Sequence, residues 1–387
     1  MNNVINLPIT SGFTQAGAKM EVKKSNTIHS HTMKKTTCIL VTLFTVLSLQ
    51  GQHVFYDASA FPVLGKATEQ TATRYERLPD SLRTIIRQPL WELGQNSAGL
   101  SIRFRSNSTS IAARWDVFLN RNMNHMTATG IKGLDLYSLE DGEWVFVNSG
   151  RPTGQHNEAV IISNMSAVDR EYMLFLPLYD GVTALAIGVD SLATIGQPKT
   201  DLPVRTKPVV AYGTSITQGG CATRPGMAHS NILSRWLNRE LINLGFSGNG
   251  RLDYEIAEVI ADVDASLYIL DFVPNATVDE TNEKTVRFYS IIRNRRPDTP
   301  ILFVENPLFT HLRFDQQAAE GIRIKNETIR RIVEELQAKG DSRVFLLSSQ
   351  GMLGNDGEAT VDGIHFTDLG FLRYAELLYP VIKQMVK

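Results

Sequence analysis

The sequence is poor in cysteine and has no excess of charge of either sign. Its 387 residues include only two cysteines, Cys38 and Cys221, which excludes a disulfide scaffold. The chain has 39 Lys and Arg residues and 40 Asp and Glu residues. It therefore has no excess of positive charge that would attract a nucleic-acid backbone. With 43% apolar residues, disorder is excluded as well, and the length favours two or three folded domains.

Metal-binding and cofactor-binding motifs are also missing. The chain has no His-x-x-x-His pair and no cluster of carboxylates with the spacing of metal ligands. The glycine-rich segment from Asn243 to Gly250 lacks the lysine of a P-loop and the third glycine of a dinucleotide-binding fingerprint. We therefore predict that activity needs no metal and no cofactor, and that chelators leave it unchanged.

No apolar run has the length of a stable membrane span. The segment from Met33 to Ser48 has a short basic start and a compact apolar stretch, and polar residues follow it up to Gln52. This is the form of a secretory signal peptide, whose apolar core is too short to cross a bilayer stably. We expect residues 1–52 to be a leader with a signal peptide at 33–52, and the mature protein to be secreted or periplasmic. A buried N-terminal helix is the alternative, and translation could start at Met1 or Met33.

The region that follows has an apolar pattern of period two. Leu100, Ile102 and Phe104 alternate with polar residues, and so do the apolar residues from Ile111 to Val117. Half-buried antiparallel strands have this pattern. Residues 53–200 are therefore predicted to form a β-sandwich or jelly-roll domain, which ends in a segment rich in turn-forming residues before Pro203.

The second half has short, continuous apolar runs, which are typical of strands covered on both faces. They lie at residues 208–213, 266–271, 300–305 and 343–347. Helical patterns between them begin at Ile232, Val286 and Ile322, and the first includes Leu241. Alternating strands and helices predict a parallel sheet wrapped by helices over residues 201–387.

Functional groups in such a sheet gather in the loops at the carboxyl ends of its strands. The first of these loops carries Ser215, whose hydroxyl would lie at a strand tip and whose N–H would lie near a helix N-terminus. That position suits a nucleophile that is also an oxyanion donor. A helix cap is the alternative role for Ser215.

Two further loops offer hydrogen-bond donors. Gly248 lies in a glycine-rich loop whose backbone N–H groups can approach a ligand closely, although Asn249 breaks a nucleophile-elbow motif there. Asn275 follows the next buried strand, and its side-chain amide can donate to a developing oxyanion. Each of these loops taken alone is also compatible with an ordinary turn.

The last loop carries an acid and a histidine just before a C-terminal helix. Asp362 and His365 are three residues apart, so the carboxylate can accept from one imidazole nitrogen while the other nitrogen faces a serine. His229 and His311, the other histidines of this half, have no acid so placed. A structural role is the alternative for His365.

The order of Ser215, Gly248, Asn275, and Asp362 with His365 resembles the four sequence blocks of the SGNH hydrolases, the GDSL esterase superfamily, over residues 207–387. The resemblance implies a flavodoxin-like fold in which Ser215 is the nucleophile, His365 its base and Asp362 the residue that orients the base. It also implies an oxyanion hole made by the N–H groups of Ser215 and Gly248 and the amide of Asn275.

The chain departs from the family pattern at two places. Gly213-Thr214-Ser215 stands for Gly-Asp-Ser, and Pro274-Asn275-Ala276 stands for Gly-Asn-Asp. The first departure leaves the nucleophile intact. The second puts the aim of the Asn275 amide in doubt, because proline restricts the backbone beside it.

The first half adds a second resemblance. The segment from Gly133 to Tyr137 is similar to the G-x-D-L-Y signature of a β-rich domain that precedes one GDSL-like subgroup, in which Gly-Thr-Ser-Ile and Pro-Asn variants are familiar. By analogy, this domain would bind glycan or shape the substrate cleft. A purely structural companion, with Trp115 and Trp144 in its core, is the alternative.

Together these features predict a secreted serine esterase that removes short acyl groups, above all O-acetyl groups, from a small molecule or a polysaccharide. A lipid or thioester acylhydrolase with the same mechanism is the first alternative. A noncatalytic glycan-binding protein and a metal hydrolase are further alternatives. Cys221, six residues after Ser215, is interpreted as a small buried residue and not as a rival nucleophile.

Overall fold

The computed structural model of the chain describes residues 4–5 and 52–386. The predicted leader, with its signal peptide at 33–52, therefore lies outside the described residues except for residues 4–5 and Gln52. Within the described part of the chain, none of the helices combines the length and the hydropathy that crossing a bilayer requires.

The first half forms two antiparallel sheets, as its period-two pattern predicts. Its strands are β2 (His53–Asp57), β3 (Val63–Leu64), β4 (Ser101–Ser106), β5 (Ile111–Val117), β6 (Leu134–Glu140), β7 (Glu143–Gly150), β8 (His156–Ile162), β9 (Arg170–Phe175), β10 (Val182–Asp190) and β11 (Ile195–Gly196). One sheet has the order β2-β10-β5-β8, and the other has the order β11-β4-β9-β6-β7 with β3 paired to β4. The predicted β-sandwich is thereby confirmed.

The two sheets enclose one apolar core. Phe104 and Leu136 of one sheet pack with Trp115 and Ile187 of the other, and all four are almost fully buried. Trp144 lies outside this core, in a small cluster on the outer face of the second sheet, and its Nε1 donates to Asn238 Oδ1 of the second half at 3.0 Å. Of the two tryptophans assigned to the core, Trp115 is a core residue and Trp144 connects the two halves.

The second half forms a parallel sheet. Its strands are β12 (Val204–Gly213), β13 (Arg239–Gly245), β14 (Leu267–Asp271), β15 (Ile301–Val304) and β16 (Val344–Leu347), and the short β1 (Val4–Ile5) pairs with β16. The sheet order is β1-β16-β15-β14-β12-β13. Leaving β1 aside, this is the 2-1-3-4-5 order of a flavodoxin-like sheet, which confirms the predicted fold class.

Helices cover both faces of the parallel sheet. They are α3 (Ser215–Gln218), α4 (His229–Leu237), α5 (Tyr254–Asp262), α6 (Val278–Arg295), α7 (Gln316–Ala338) and α8 (Asp368–Met385). Val210 and Tyr212 of β12 pack in the core on the side of α5, α6 and α7, whereas Val209 and Ala211 pack on the side of α4 and α8. This alternation explains why the buried strands are apolar without interruption.

One expected helix is shorter than its pattern indicates. The assignment of Leu241 to a helix is wrong, because α4 ends at Leu237 and Leu241 lies in β13. Asn238 ends the helix in the left-handed conformation, with φ 46°, and its N–H donates to the carbonyl of Arg235. Asparagine is one of the few residues that tolerate this conformation, so it can end a helix as glycine does.

Two short helices interrupt the first half, where no helix is evident from the sequence. These are α1 (Gln88–Gly94) and α2 (Ala128–Lys132). Leu90 and Trp91 of α1 pack in the core on the α5 side of the parallel sheet, not between the antiparallel sheets. The segment of residues 75–96, hereafter the strap, thus leaves the sandwich and returns to it after contacting the second half.

Candidate active site

Ser215 lies directly beyond the carboxyl end of β12, at the first position of α3. Thr214 caps this helix by accepting a hydrogen bond from the N–H of Ile216. The turn is tight, since a Cβ added to Gly213 would lie 2.1 Å from Thr217 Oγ1 and 2.6 Å from the carbonyl oxygen of Asp271. Glycine at 213 is therefore required to bring Ser215 to the sheet edge in this orientation.

A continuous series of hydrogen bonds joins Ser215 to the loop before α8. His365 Nε2 lies 2.9 Å from Ser215 Oγ, and His365 Nδ1 lies 2.7 Å from Asp362 Oδ2. The other carboxylate oxygen of Asp362 accepts the backbone N–H groups of His365, at 2.8 Å, and Ile364, at 3.0 Å. The structure thus brings together the three side chains that the sequence analysis selected, in the order serine, histidine, acid.

Asp362 is a strong acceptor in this position. Partial burial acts to raise its pKa, but the hydrogen bonds from the His365 side chain and from the backbone at 365 and 364 outweigh that effect and hold the pKa at about 2. The carboxylate is therefore ionised at neutral pH and fixes the Nδ1–H tautomer of His365. That tautomer leaves Nε2 with a lone pair toward Ser215.

Gly248 and Asn275 lie in the two neighbouring loops at the same edge of the sheet. Among the described residues, no protein acceptor is assigned to the backbone N–H groups of Ser215 and Gly248. Asn275 Oδ1 accepts the N–H of Gly250 at 3.2 Å. Its oxygen is therefore held by the glycine loop, and its NH₂ group remains available as a donor.

A buried carboxylate lies beneath the helix that carries Ser215. Asp271, the last residue of β14, accepts hydrogen bonds at Oδ2 from Tyr374 Oη at 2.9 Å and from Thr217 Oγ1 at 3.3 Å. Burial raises the pKa of Asp271 to about 7, against the opposing effect of these two hydrogen bonds. The sequence analysis did not identify Asp271 as part of the site, because its position is that of an ordinary residue at the end of a strand.

The strap holds the glycine loop from the first half of the chain. The fully buried guanidinium of Arg77 donates to the carbonyl oxygens of Gly245 at 2.7 Å and Asn243 at 3.1 Å. Arg87 Nη1 donates to Asn249 Oδ1 at 2.6 Å, and Arg87 also forms an ion pair with Asp253. These contacts could not be predicted from the sequence. Arginine is mostly exposed in folded proteins, and both arginines lie far from the glycine loop along the chain.

The G-x-D-L-Y segment forms a joint between the two halves. Asp135 is fully buried and pairs with Arg224 at 2.8 Å, and it also accepts the N–H of Gly226 at 2.8 Å. Tyr137 Oη accepts from the same Arg224 side chain at 2.6 Å. Arg224 lies in the loop between α3 and α4, so the signature fixes the segment that follows Ser215.

Two more polar side chains lie beside His365. The ring centroid of His125, from a loop of the sandwich, is 5.6 Å from that of His365. Cys221 is buried nearby, and burial together with the Asp362 charge raises its pKa to about 12. At neutral pH its thiol is protonated, which argues against Cys221 as a rival nucleophile. The sequence offered no signal for His125.

The parallel sheet also borders a cavity of about 660 Å³ at the carboxyl ends of β15 and β16. Glu305 at its base is almost fully buried, and its carboxylate accepts from Arg330 and from the backbone and side chain of Ser349. Ser215, Asp362 and His365 do not line this cavity. The candidate site at the carboxyl end of β12 is therefore separate from this cavity.

Comparison with known proteins agrees with this architecture. Residues 206–383 match the GDSL-like Lipase/Acylhydrolase family, and residues 53–195 match the family described as the N-terminus of Esterase_SGNH_hydro-type. A crystal structure of a Bacteroides ovatus protein, described as a GDSL-like lipase, is 38% identical, with a TM-score of 0.83 over 87% of this chain and 98% of that chain. The chain belongs to the GDSL-like lipase/acylhydrolase family.

More distant structures share the fold. The salicylyl-acyltransferase SsfX3 from a tetracycline biosynthetic pathway is 17% identical, with a TM-score of 0.71 over 86% of this chain and 97% of that chain. A family two carbohydrate esterase from Clostridium thermocellum, in complex with cellohexaose, is 12% identical, with a TM-score of 0.53 over 74% of this chain and 92% of that chain. No curated protein matches the chain.

Proposed function

We propose that the protein is a serine esterase in which Ser215 is the nucleophile, His365 the general base and Asp362 the residue that orients the base. The observation that carries this proposal is the unbroken hydrogen-bond series from Ser215 Oγ through the His365 ring to Asp362, with distances of 2.9 and 2.7 Å. Both distances are within the reach that proton transfer requires.

The reaction follows from these positions. Ser215 Oγ attacks the acyl carbonyl while its proton passes to His365 Nε2, and Asp362 stabilises the imidazolium that forms. His365 then gives the proton to the leaving alcohol, and the acyl group stays on Ser215. Water, deprotonated by His365, attacks the acyl-serine; the bond from the acyl carbon to Ser215 Oγ breaks, His365 returns the proton to Oγ, and the carboxylic acid leaves. The free enzyme is thereby restored without a metal or an organic cofactor.

The N–H groups of Ser215 and Gly248 and the amide of Asn275 are the proposed oxyanion hole. Support comes from the two backbone donors, to which no protein acceptor is assigned, and from Asn275, whose oxygen is already engaged by Gly250. Donors fixed before the reaction stabilise the tetrahedral oxyanion without reorganisation.

For the substrate, we propose short acyl esters, above all O-acetyl groups, on a carbohydrate, hydrolysed outside the cytoplasm after removal of the leader. Support comes from carbohydrate esterases that share the fold, one of which was solved in complex with cellohexaose and another of which is an acetyl xylan esterase. Their low identity establishes the fold alone. A lipid or thioester acylhydrolase is the alternative within the same chemistry.

The first test is the hydrolysis of p-nitrophenyl acetate by wild type and Ser215→Ala. Loss of the nucleophile is expected to lower kcat by roughly 10⁴-fold or more, because attack by water alone is then left. A fluorophosphonate probe should label the wild type and not the variant. A Ser215→Ala protein that turns over at the wild-type rate would refute the mechanism.

The second test concerns the acyl group and its carrier. Rates are compared across p-nitrophenyl esters from acetate to decanoate, and acetate release is measured from a panel of acetylated glycans. A steep fall in kcat/KM with chain length, together with acetate release, is the expected result. Preference for decanoate would favour a lipid acylhydrolase, and sugar binding without labelling by fluorophosphonate would favour a noncatalytic glycan-binding protein.

A further inference from the structure

We propose that His125, Cys221 and His365 form a binding site for one soft divalent cation, with Zn²⁺ as the best-suited ion, and that the bound cation inhibits the esterase. Its inhibitory effect rests on the proposed function, because His365 is the proposed general base. The cation site itself does not depend on that function.

The three side chains come from separate parts of the chain and converge beside Ser215. One ligand atom from each, a histidine nitrogen or the cysteine sulfur, lies within 4.8 Å of the other two. Bond lengths of about 2.0–2.3 Å in a tetrahedral zinc site require ligand atoms about 3.3–3.8 Å apart. Each pair of ligand atoms therefore has to approach by at most about 1 to 1.5 Å to reach that spacing.

Both histidines have the outer partner that is typical of metal ligands. His125 Nδ1 lies 2.8 Å from Asn124 Oδ1, and His365 Nδ1 lies 2.7 Å from Asp362 Oδ2. Each Nδ1 can therefore donate its proton, which leaves the Nε2 lone pair as the coordinating group, and at His365 the cation takes the place of the Ser215 hydroxyl. Histidines that bind metals are usually held in this manner by an oxygen acceptor.

Cys221 is held in a conformation that a non-glycine residue rarely adopts. Its φ is 74°, and it follows Gly219, whose φ is 107°. Between them, Gly220 passes close to the histidine, since a Cβ added there would lie 3.2 Å from His365 Cδ2. Strained conformations of this kind concentrate at functional sites. Ester hydrolysis as proposed above makes no use of the thiol.

The loop that carries His125 is anchored at both of its sides. The two oxygens of Asp180 accept the N–H groups of Leu119, at 2.8 Å, and Arg121, at 2.9 Å. The buried Lys132 donates to Asn120 Oδ1 at 2.6 Å. Met126, next to His125, packs in the same apolar cluster as Cys221. The loop that carries His125 is therefore ordered before a cation arrives, which lowers the cost of binding.

A cation in this site blocks the reaction directly. Coordination uses the Nε2 lone pair of His365, which then cannot accept the proton of Ser215. Two histidine nitrogens and a thiolate are ligands preferred by Zn²⁺ and Co²⁺ over Mg²⁺ and Ca²⁺. Binding replaces the S–H bond of Cys221 with a bond from sulfur to the cation, and the thiol proton passes to solvent.

Inhibition is measured with p-nitrophenyl acetate after the full-length protein has been freed of metal with a chelator. We expect ZnCl₂ to inhibit the wild type reversibly, with activity restored by chelator, and MgCl₂ to have no effect. His125→Ala and Cys221→Ala should each raise the inhibition constant for Zn²⁺ at least about tenfold. Without metal, their kcat/KM should stay close to that of the wild type.

A matched control is His156→Ala, which removes an exposed histidine of the sandwich that pairs with Asp116. This variant should be inhibited like the wild type. Equal inhibition of the wild type, His125→Ala and Cys221→Ala would overturn the proposal, because zinc would then act through His365 without the other two ligands.

A readout independent of activity uses Co²⁺ with Ser215→Ala in a background that also carries Cys38→Ala. We expect a thiolate-to-cobalt charge-transfer band that saturates at one ion per chain and disappears in Cys221→Ala. Absence of the band would overturn the site. If Ser215→Ala kept full esterase activity while the band was present, the proposed function would fail and the cation site would stand.

Discussion

Two atoms of the Asn275 side chain have separable tasks. Oδ1 holds the glycine loop by accepting the N–H of Gly250 at 3.2 Å, whereas Nδ2 is the proposed oxyanion donor. Asn275→Ala should lower kcat by roughly 100-fold to 1000-fold and should also destabilise the fold, because both atoms are lost. Kinetics and urea unfolding are measured together.

Asn275→Asp separates the two tasks, since it keeps an oxygen acceptor and removes the donor. We expect a loss of kcat at least as large as that of Asn275→Ala, with a free energy of unfolding closer to that of the wild type. Near-normal turnover in Asn275→Asp would remove Asn275 from the oxyanion hole.

The buried Asp271 predicts a pH dependence of stability. Burial raises its pKa from 3.8 to about 7, so the folded state retains a proton that the unfolded state has released. The contribution of Asp271 to the free energy of unfolding therefore has its maximum below pH 4. It decreases as the pH rises and is lost at about pH 7. The neutral Asp271→Asn does not titrate, and its stability relative to wild type should rise by up to about 4 kcal/mol between pH 4 and pH 8.

Urea unfolding at intervals between these pH values tests this prediction. The exposed Asp264→Asn is the control, and its stability should run parallel to that of the wild type. If Asp271→Asn also ran parallel, the carboxyl would be ionised in the fold at pH 4, contrary to the effect of its burial.

The site residues that could be predicted from the sequence are those next to a recognisable strand or helix. Ser215, Asn275 and His365 each follow a recognisable apolar run or precede a recognisable helix, so their positions at one sheet edge follow from topology. Arg77 and His125 act across more than 130 residues of sequence. Their roles depend on tertiary contacts that no local pattern encodes.

At the level of elements, the loop of residues 246–250 depends on two glycines for different reasons. A Cβ added to Gly250 would lie 2.4 Å from the carbonyl oxygen of Gly213, at the turn before Ser215. A Cβ added to Gly248 meets nothing within 4 Å, although φ there is 68°. At Gly250 a side chain is excluded by lack of space, whereas at Gly248 it is disfavoured only by the backbone conformation.

This difference predicts unequal effects of the same substitution. Gly250→Ala should displace the loop and lower kcat by more than about tenfold, because small misplacements of oxyanion donors are costly. Gly248→Ala keeps its N–H and should cost about 1–2 kcal/mol of stability, with kcat within about tenfold of wild type. Steady-state kinetics of the two variants, compared with their thermal unfolding, checks the order. The reverse order would show that the loop does not contact the Ser215 turn as described.

The elements that the sequence predicts least well are those near Asn238. A continuous apolar pattern runs from Ile232 to Leu241, yet α4 stops at Leu237 and β13 starts at Arg239. Both elements bury the same residue types, so periodicity alone does not separate them. The parallel strands at 208–213 and 266–271 were identifiable because turn-forming residues border them.

At the scale of the molecule, the buried ion pair between Asp135 and Arg224 joins the two halves and is sensitive to substitution. Asp135 has no exposed surface, and three donors point at its carboxylate, from Ser149, Arg224 and Gly226. Asp135→Ala removes the negative partner of Arg224 and the acceptor of Ser149 and Gly226, and it should destabilise the protein by about 3–5 kcal/mol. Because Arg224 lies in the loop that directly follows α3, the helix that begins at Ser215, kcat should fall as well.

A surface ion pair of the sandwich serves as the control for this prediction. Glu158 and Arg114 are paired at 2.7 Å and both are more than half exposed, so Glu158→Gln should cost less than about 1 kcal/mol. Urea unfolding of both variants tests the difference. A small effect of Asp135→Ala would mean that the two halves are held together by other contacts.

The strap has a consequence for dissecting the protein into fragments. A fragment that begins at residue 201 would lack Leu90 and Trp91, and the apolar groove that they fill beside α5 would be open to water. It would also lack the Arg77 guanidinium that ties down the carbonyls of Asn243 and Gly245. Such a fragment would be prone to aggregation. An autonomous hydrolase cut from this chain therefore has to include the strap and not only the parallel-sheet half.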